Sequence, residues 1–177
     1  MSAAIYLREL SIEDAEILYK WRNEPEIWVF TKFRPLTEVT LETETKWLKK
    51  VLNNKNEYRF AICLSQDDKY VGNVQLLNVE NGNAELHIFV GVRTLWGKGI
   101  GKAATINILD FAFYELKLES IFLEVHKENK KAKGIYNSLG FRELNRKGQE
   151  GNTFAYMELR SKSYRMNCEK LKLKKVS

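Results

Sequence analysis

The chain is poor in the residues that carry disulfide and metal chemistry. It has two cysteines, Cys63 and Cys168, and two histidines, His87 and His126. Two cysteines cannot make a disulfide framework, and with so few histidines a four-ligand zinc site is not expected either. No metal is therefore expected. No run of roughly 18 apolar residues occurs, so no membrane span is expected. Met1 to Glu9 lacks a charged segment followed by a long apolar one, which argues against a secretory signal and for the cytoplasm.

What is present is a core-forming composition. Hydrophobic residues make up 44% of the 177 positions and aromatics 12%, too much for a disordered chain and enough for one domain. The net charge of +6 raises the question of nucleic acid. Its distribution answers against that. Six of the 29 basic residues and one of the 23 acidic ones lie in 161–177, leaving 23 and 22, or +1, for 1–160. The sequence thus predicts one domain over 1–160 and a basic tail over 161–177, read as a solvated extension or a contact for a neighbouring subunit.

Periodicity orders the elements. Ala4 to Glu9 reads as a strand. Ser11 caps a helix that ends near Asn23, because Pro25 disfavours helix at Glu24. Thr40 to Leu52 is amphipathic, with Leu41, Trp47, Leu48 and Val51 on one stripe. Strands follow at Tyr58–Leu64, Tyr70–Val79 and Ala84–Val92, the last two joined by Asn81-Gly82, a hairpin signal. Then come a helix over Gly99–Leu116, a strand over Ser120–Val125, a helix over Asn129–Leu139 closed by Gly140, and two strands, Phe141–Arg146 and Thr153–Leu159, across a loop with Gly148 and Gly151. The expected fold is a mixed α/β (α+β) domain with antiparallel hairpins and a helix-linked centre.

Chemistry concentrates in Trp96-Gly97-Lys98-Gly99-Ile100-Gly101-Lys102, between a strand and a helix. Glycines let backbone N–H groups approach a ligand, and a helix N-terminus favours an anion. A P-loop would need Gly at position 96 and a hydroxyl at 103, where Trp96 and Ala103 stand. A dinucleotide fingerprint fits Gly99, Gly101 and Ala104, with Glu124 near the end of the next strand. However, four residues separate it from its strand. A bare turn and a coenzyme A site complete the alternatives.

The loop, its helix, the strand at 121–125 and the helix at 129–139 resemble the core of the GNAT acetyltransferases. Gly99 and Gly101 match that family's Gln/Arg-x-x-Gly-x-Gly/Ala signature. Trp96 replaces its first residue, as in the RimJ/RimL-like branch. Asn129-x-x-Ala132-x-x-x-Tyr136-x-x-x-Gly140-Phe141 looks like the family's later motif. The likeness runs from Ile5 to Leu159 and is strongest over Ala84–Phe141. It implies a central, mostly antiparallel sheet flanked by helices. It also implies acetyl-CoA as co-substrate and direct acetyl transfer to a primary amine.

The resemblance further implies residue roles. Gly97, Lys98, Gly99, Ile100, Gly101 and Lys102 would hold the pyrophosphate. Val90, Gly91 and Val92 would line the pantetheine arm, with the Val90 N–H meeting the thioester oxygen. Asn129 would contact pantetheine, and Tyr136 would protonate the thiolate. Glu85 is the candidate base and His87, on the same strand face, a second one. Trp21, Arg22 and Asn23, with the aromatics Trp28, Phe30 and Phe33, are candidates for binding the acceptor. Core packing is the competing reading for Trp21 and Phe30. The acceptor could be an amino sugar linked to a nucleotide, a protein N-terminus or a polyamine. His126 and Cys63 read as structural, and Cys168 as an exposed thiol. A homodimer is expected, nucleic acid and membrane are not. A coenzyme- or nucleic-acid-binding module without catalysis is the alternative class.

Overall fold

A seven-stranded sheet carries the molecule, in the order β1-β2-β3-β4-β5-β7-β6. The computed structural model describes residues 4–144 and 153–173, with side chains to Cys168. The strands are β1 (Ile5–Glu9), β2 (Tyr58–Leu64), β3 (Tyr70–Glu80), β4 (Asn83–Val90), β5 (Ser120–His126), β6 (Arg142–Leu144) and β7 (Phe154–Arg160). The helices are α1 (Ala15–Arg22), α2 (Leu41–Leu52), α3 (Ile100–Asp110), α4 (Lys130–Leu139) and α5 (Ser161–Leu173). Every neighbouring pair is antiparallel except β4 and β5. The expected mixed sheet flanked by helices is what forms.

Alternation along each strand gives the sheet two unlike faces. One carries Ile62, Val74, Leu76, Leu86, Ile121, Leu123 and Met157, all buried in the main core with α3 and α4. Phe113, Leu109 and Ile108 come down onto it fully buried. Each contributes about 1.5–3 kcal/mol by leaving water. The other face carries Arg59, Gln75, Glu85, His87, Glu124 and Glu158. At one end it forms a second apolar cluster, where Ala61 and Cys63 pack with Leu18, Trp21, Trp28 and Leu48 from α1, α2 and the turn Pro25–Trp28. The residues 29–40 between that turn and α2 are irregular.

Four expectations need revision. The third strand of the meander ends at Val90, not Val92, because Gly91 and Val92 both donate to Val71 O, at 2.8 and 3.4 Å. The long helix widens after Asp110, where the Leu116 N–H reaches back five residues to Phe111 O at 3.0 Å. The basic tail is not simply solvated. It begins as α5, whose Tyr164 is buried, lies tilted against Phe113 and donates to Asp110 Oδ1 at 2.9 Å, while Arg165 donates to Phe113 O at 2.8 Å. Cys168 lies one turn beyond Tyr164 on the same helix face, partly buried against the main core rather than exposed. Charge counting could not see that face. Gly148 and Gly151, with the loop between β6 and β7, lie outside the described residues.

Candidate active site

The sheet opens into a fork at the parallel joint between β4 and β5. β4 and β5 pair at Asn83–Ser120, Ala84–Ile121 and Glu85–Phe122 and then part. β4 follows β3 up to Val90, and β5 follows β7 up to His126. Local contacts hold the β4 tine aside. The Gly91 N–H turns to β3, so the pleat turns the Val90 N–H and C=O the other way, into the fork. The Trp96 indole N–H caps that carbonyl at 2.8 Å and leaves the Val90 N–H as the donor aimed into the gap. Gly91 is required by packing: a methyl there would overlap the Trp21 indole. The close approach at Gly91 is therefore to Trp21.

Beyond β4 the chain makes a short turn, Arg93–Leu95, and enters the glycine loop. Gly97 and Gly99 adopt left-handed backbone, at φ 78° and 83°, and Gly99 caps α3. Gly101 is helical and needs no such freedom. A Cβ there would meet no described atom within 4 Å outside its own helix, and the same is true at Gly97. So Gly101 has no packing reason to be glycine, and the space beside it is open. The first turn of α3 leaves N–H groups without helical partners. Open space, unpaired donors, Lys98 and Lys102 together fit a pyrophosphate.

α4 lies on the apolar side of the fork. Asn129 caps it, its Oδ1 accepting from the Ala132 N–H at 3.1 Å. That contact engages the side-chain oxygen and leaves the amide NH2 for a ligand. Two turns on, Tyr136 is buried with its ring edge-to-face on Phe141, centroids 5.6 Å apart. Loss of water pushes its phenol up to about 12, so it stays protonated at neutral pH. The motif-derived pair is brought to one helix at the fork.

On the polar side, Glu85 Oε1 and His87 Nε2 approach to 2.8 Å, without the alignment of a full hydrogen bond. His87, burial, Asn78 and Lys32 act on the Glu85 carboxyl. The His87 contact dominates and holds its pKa below the ordinary range. The acceptor candidates divide. Trp21 is core, tilted on Tyr70 with centroids 4.8 Å apart and edge-on to Phe89 at 5.9 Å. Asn23 is a clamp: it exchanges hydrogen bonds with Val39 at 2.7 and 2.8 Å and donates to Tyr19 O at 2.9 Å, tying the irregular segment to α1. Arg22 faces a cavity of about 360 Å³ with Arg34, Trp28 and Glu38. Its guanidinium lies 5.0 Å over the Trp28 ring and 3.8 Å from buried Glu44, whose pKa burial raises.

A model of the acetyltransferase (GNAT) domain family matches residues 4–142. The chain belongs to this family. Among curated relatives, it is 30% identical to an uncharacterized N-acetyltransferase p20 of Bacillus licheniformis, over 76% of this chain and 77% of the relative. It is 27% identical to acetyltransferase PseH of Campylobacter jejuni, over 75% and 80%. The fold matches spermidine N-acetyltransferase of Vibrio cholerae in complex with CoA and spermine, with TM-score 0.81 and 23% identity, covering 90% of this chain and 97% of that one.

As a GNAT acetyltransferase, the chain is an enzyme of acetyl transfer to a primary amine, with acetyl-CoA as co-substrate. The non-catalytic alternative is set aside by the family match. Sequence reading did not single out two further residues, Lys32 at the fork and Arg34 in the cavity beside Arg22. Both lie in a segment without periodicity, and neither has a motif around it. Glu124, weighed only for a dinucleotide site, stands on the β5 tine paired with Lys32.

Proposed function

We propose that acetyl-CoA enters the β4–β5 fork from the α3–α4 side and that the acceptor amine enters from the polar side. The carrying observation is the open fork at the end of β4 beside a glycine loop whose space the chain leaves unfilled. The N–H groups of Gly97 to Lys102, with the Lys98 and Lys102 ammonium groups, hold the pyrophosphate. Gly91 and Val92 flank the pantetheine arm, and the Asn129 amide contacts it. Trp96 fixes the end of β4 through Val90 O, and its position at the head of the glycine loop supports assigning the chain to a RimJ/RimL-like branch.

Each residue then has a task. The Val90 N–H supports the thioester oxygen as the amine nitrogen bonds to the carbonyl carbon. The C–S bond breaks as Tyr136 gives its proton to the departing sulfur. The acceptor's proton leaves through Glu85 and His87. Glu85 is a transit point, because His87 keeps its carboxylate ionised, and the proton passes on to water.

The acceptor we propose carries an amine together with an anionic group and a ring, as in a nucleotide-linked amino sugar. Arg22 and Arg34 suit phosphate, and Trp28 offers a ring face in the same cavity. Two arginines against the single acid of the lining, Glu38, disfavour a polyamine there by like charge. Trp21 and Asn23 serve by shaping this cavity rather than touching the acceptor. A cytoplasmic homodimer belongs to the same proposal. The test is thiol release from acetyl-CoA with a panel of nucleotide-linked amino sugars, polyamines and N-terminal peptides. Turnover should rank the amino-sugar nucleotides first. A polyamine ranked first would reject the acceptor, and no release with any amine would reject the site.

A further inference from the structure

The last paired positions of β4 and β5 are Glu85 and Phe122. Two residues on along each strand, on the same face, stand His87 and Glu124. They are the first side chains on the polar side of the open fork. The opposite side, under α3 and α4, is the one the coenzyme takes in the proposed function. An amine must therefore pass His87 and Glu124 to reach an acetyl group held in the fork.

That passage is crossed by the irregular segment after the Pro25–Trp28 turn. Phe33 packs on His87 of the β4 tine, with centroids 5.0 Å apart. Phe30 packs on His126 of the β5 tine at 5.4 Å. Between these anchors Lys32 turns its ammonium to Glu124 and lies 4.9 Å over the Phe154 ring. The two paired side chains are only 17% and 20% exposed. A lysine usually keeps its head in water, and ordering its side chain has an entropy cost. Here the chain brings a primary ammonium inward, to the mouth through which a primary amine must come. Lys32 is also near enough to help keep Glu85 ionised.

We infer that Lys32 is an internal stand-in for the acceptor: its ammonium holds the place at Glu124 that the acceptor's ammonium takes. The inference rests on the fork being the site of transfer. Its consequence is selection by competition. The acceptor's apparent affinity is lowered by the fraction of molecules in which Lys32 fills the place. A simple amine, held at one point, does not displace it. An acceptor also held at Arg22 and Arg34 does, so the strap discriminates by requiring the second contact.

The test uses the full chain with Lys32→Met and, as a second variant, Lys32→Gln. Thermal unfolding is compared in methylammonium chloride and in sodium chloride of equal ionic strength. Methylammonium should raise the Tm of the Lys32 variants specifically, by filling the vacated place. It should not do so for the wild type or for Lys32→Met combined with Glu124→Gln. A folded Lys32→Met that still binds acetyl-CoA and shows no methylammonium-specific rise overturns the inference. In kinetics with UDP-glucosamine, both Lys32 variants should lower the acceptor KM about five- to tenfold, with kcat within about twofold. An unchanged or raised KM overturns it. Failure of the wild type to acetylate UDP-glucosamine would count against the proposed acceptor, and the methylammonium comparison would still decide the role of Lys32.

Discussion

The two sides of the β4–β5 fork are built from different materials. On the proposed coenzyme side the groups are mainly backbone N–H, from a glycine loop, the first turn of α3 and Val90, joined by the side chains of Lys98, Lys102, Asn129 and Tyr136. The backbone donors come from one stretch of chain and depend on where side chains are missing. On the proposed acceptor side the groups are side chains from distant stretches: Lys32 and Arg34 from an irregular segment, Glu85 and His87 from β4, Glu124 from β5. The first construction suits a ligand common to every turnover. The second can be changed one side chain at a time, which is where selectivity is expected to reside.

This contrast can be broken at several points. The largest effect is expected from Trp21→Ala. If Trp21 is the core wedge against Gly91, the variant should lose about 3–5 kcal/mol of stability in denaturant titration. A stable variant with only a raised acceptor KM would move Trp21 into the acceptor site. Tyr136→Phe should lower kcat about a hundredfold or more while leaving the acetyl-CoA KM within about twofold. A drop confined to KM would reduce the phenol to packing on Phe141.

Gly101→Leu sharpens the coenzyme side. A Cβ there would meet no described atom within 4 Å outside its own helix, so Tm should hold, while the acetyl-CoA KM rises about tenfold as the pyrophosphate space fills. An unchanged KM would return the loop to a bare turn. The smallest effect concerns Glu85. Its folded pKa lies below the ordinary 4.5, so its contribution to stability is complete above 4.5 and is lost as pH falls through the folded value. Glu85→Gln should flatten that part of the acid limb by less than about 1 kcal/mol. An acid limb identical to the wild type would remove the His87–Glu85 interaction from the account.

The same contrast explains what could be read in the sequence. Alternation and turn signals locate every strand, since burial on one face leaves a local pattern. The glycine loop and Tyr136 are legible because their constraints are local: positive φ at Gly97 and Gly99, and a two-turn spacing from Asn129. The Trp21-Arg22-Asn23 run was legible as a cluster but not by role. Which face of α1 is buried depends on β3 and β4, so Trp21 goes to the core, Asn23 to the cavity wall, tied to Val39, and Arg22 into the cavity. Lys32 with Glu124, and Arg34 with Arg22, are tertiary meetings with no short-range trace. The docking of Tyr164 in α5 was hidden by the tail's net charge.

The most direct test of the whole arrangement is an experimental structure of the chain with acetyl-CoA bound. The account predicts the pyrophosphate against the N–H groups of Gly97 to Lys102. It also predicts the thioester between the Val90 N–H and the Tyr136 hydroxyl, with Lys32 across the opening beyond. A coenzyme lodged elsewhere, for instance in the groove of about 600 Å³ beside Phe111, Tyr164 and Cys168, would contradict it.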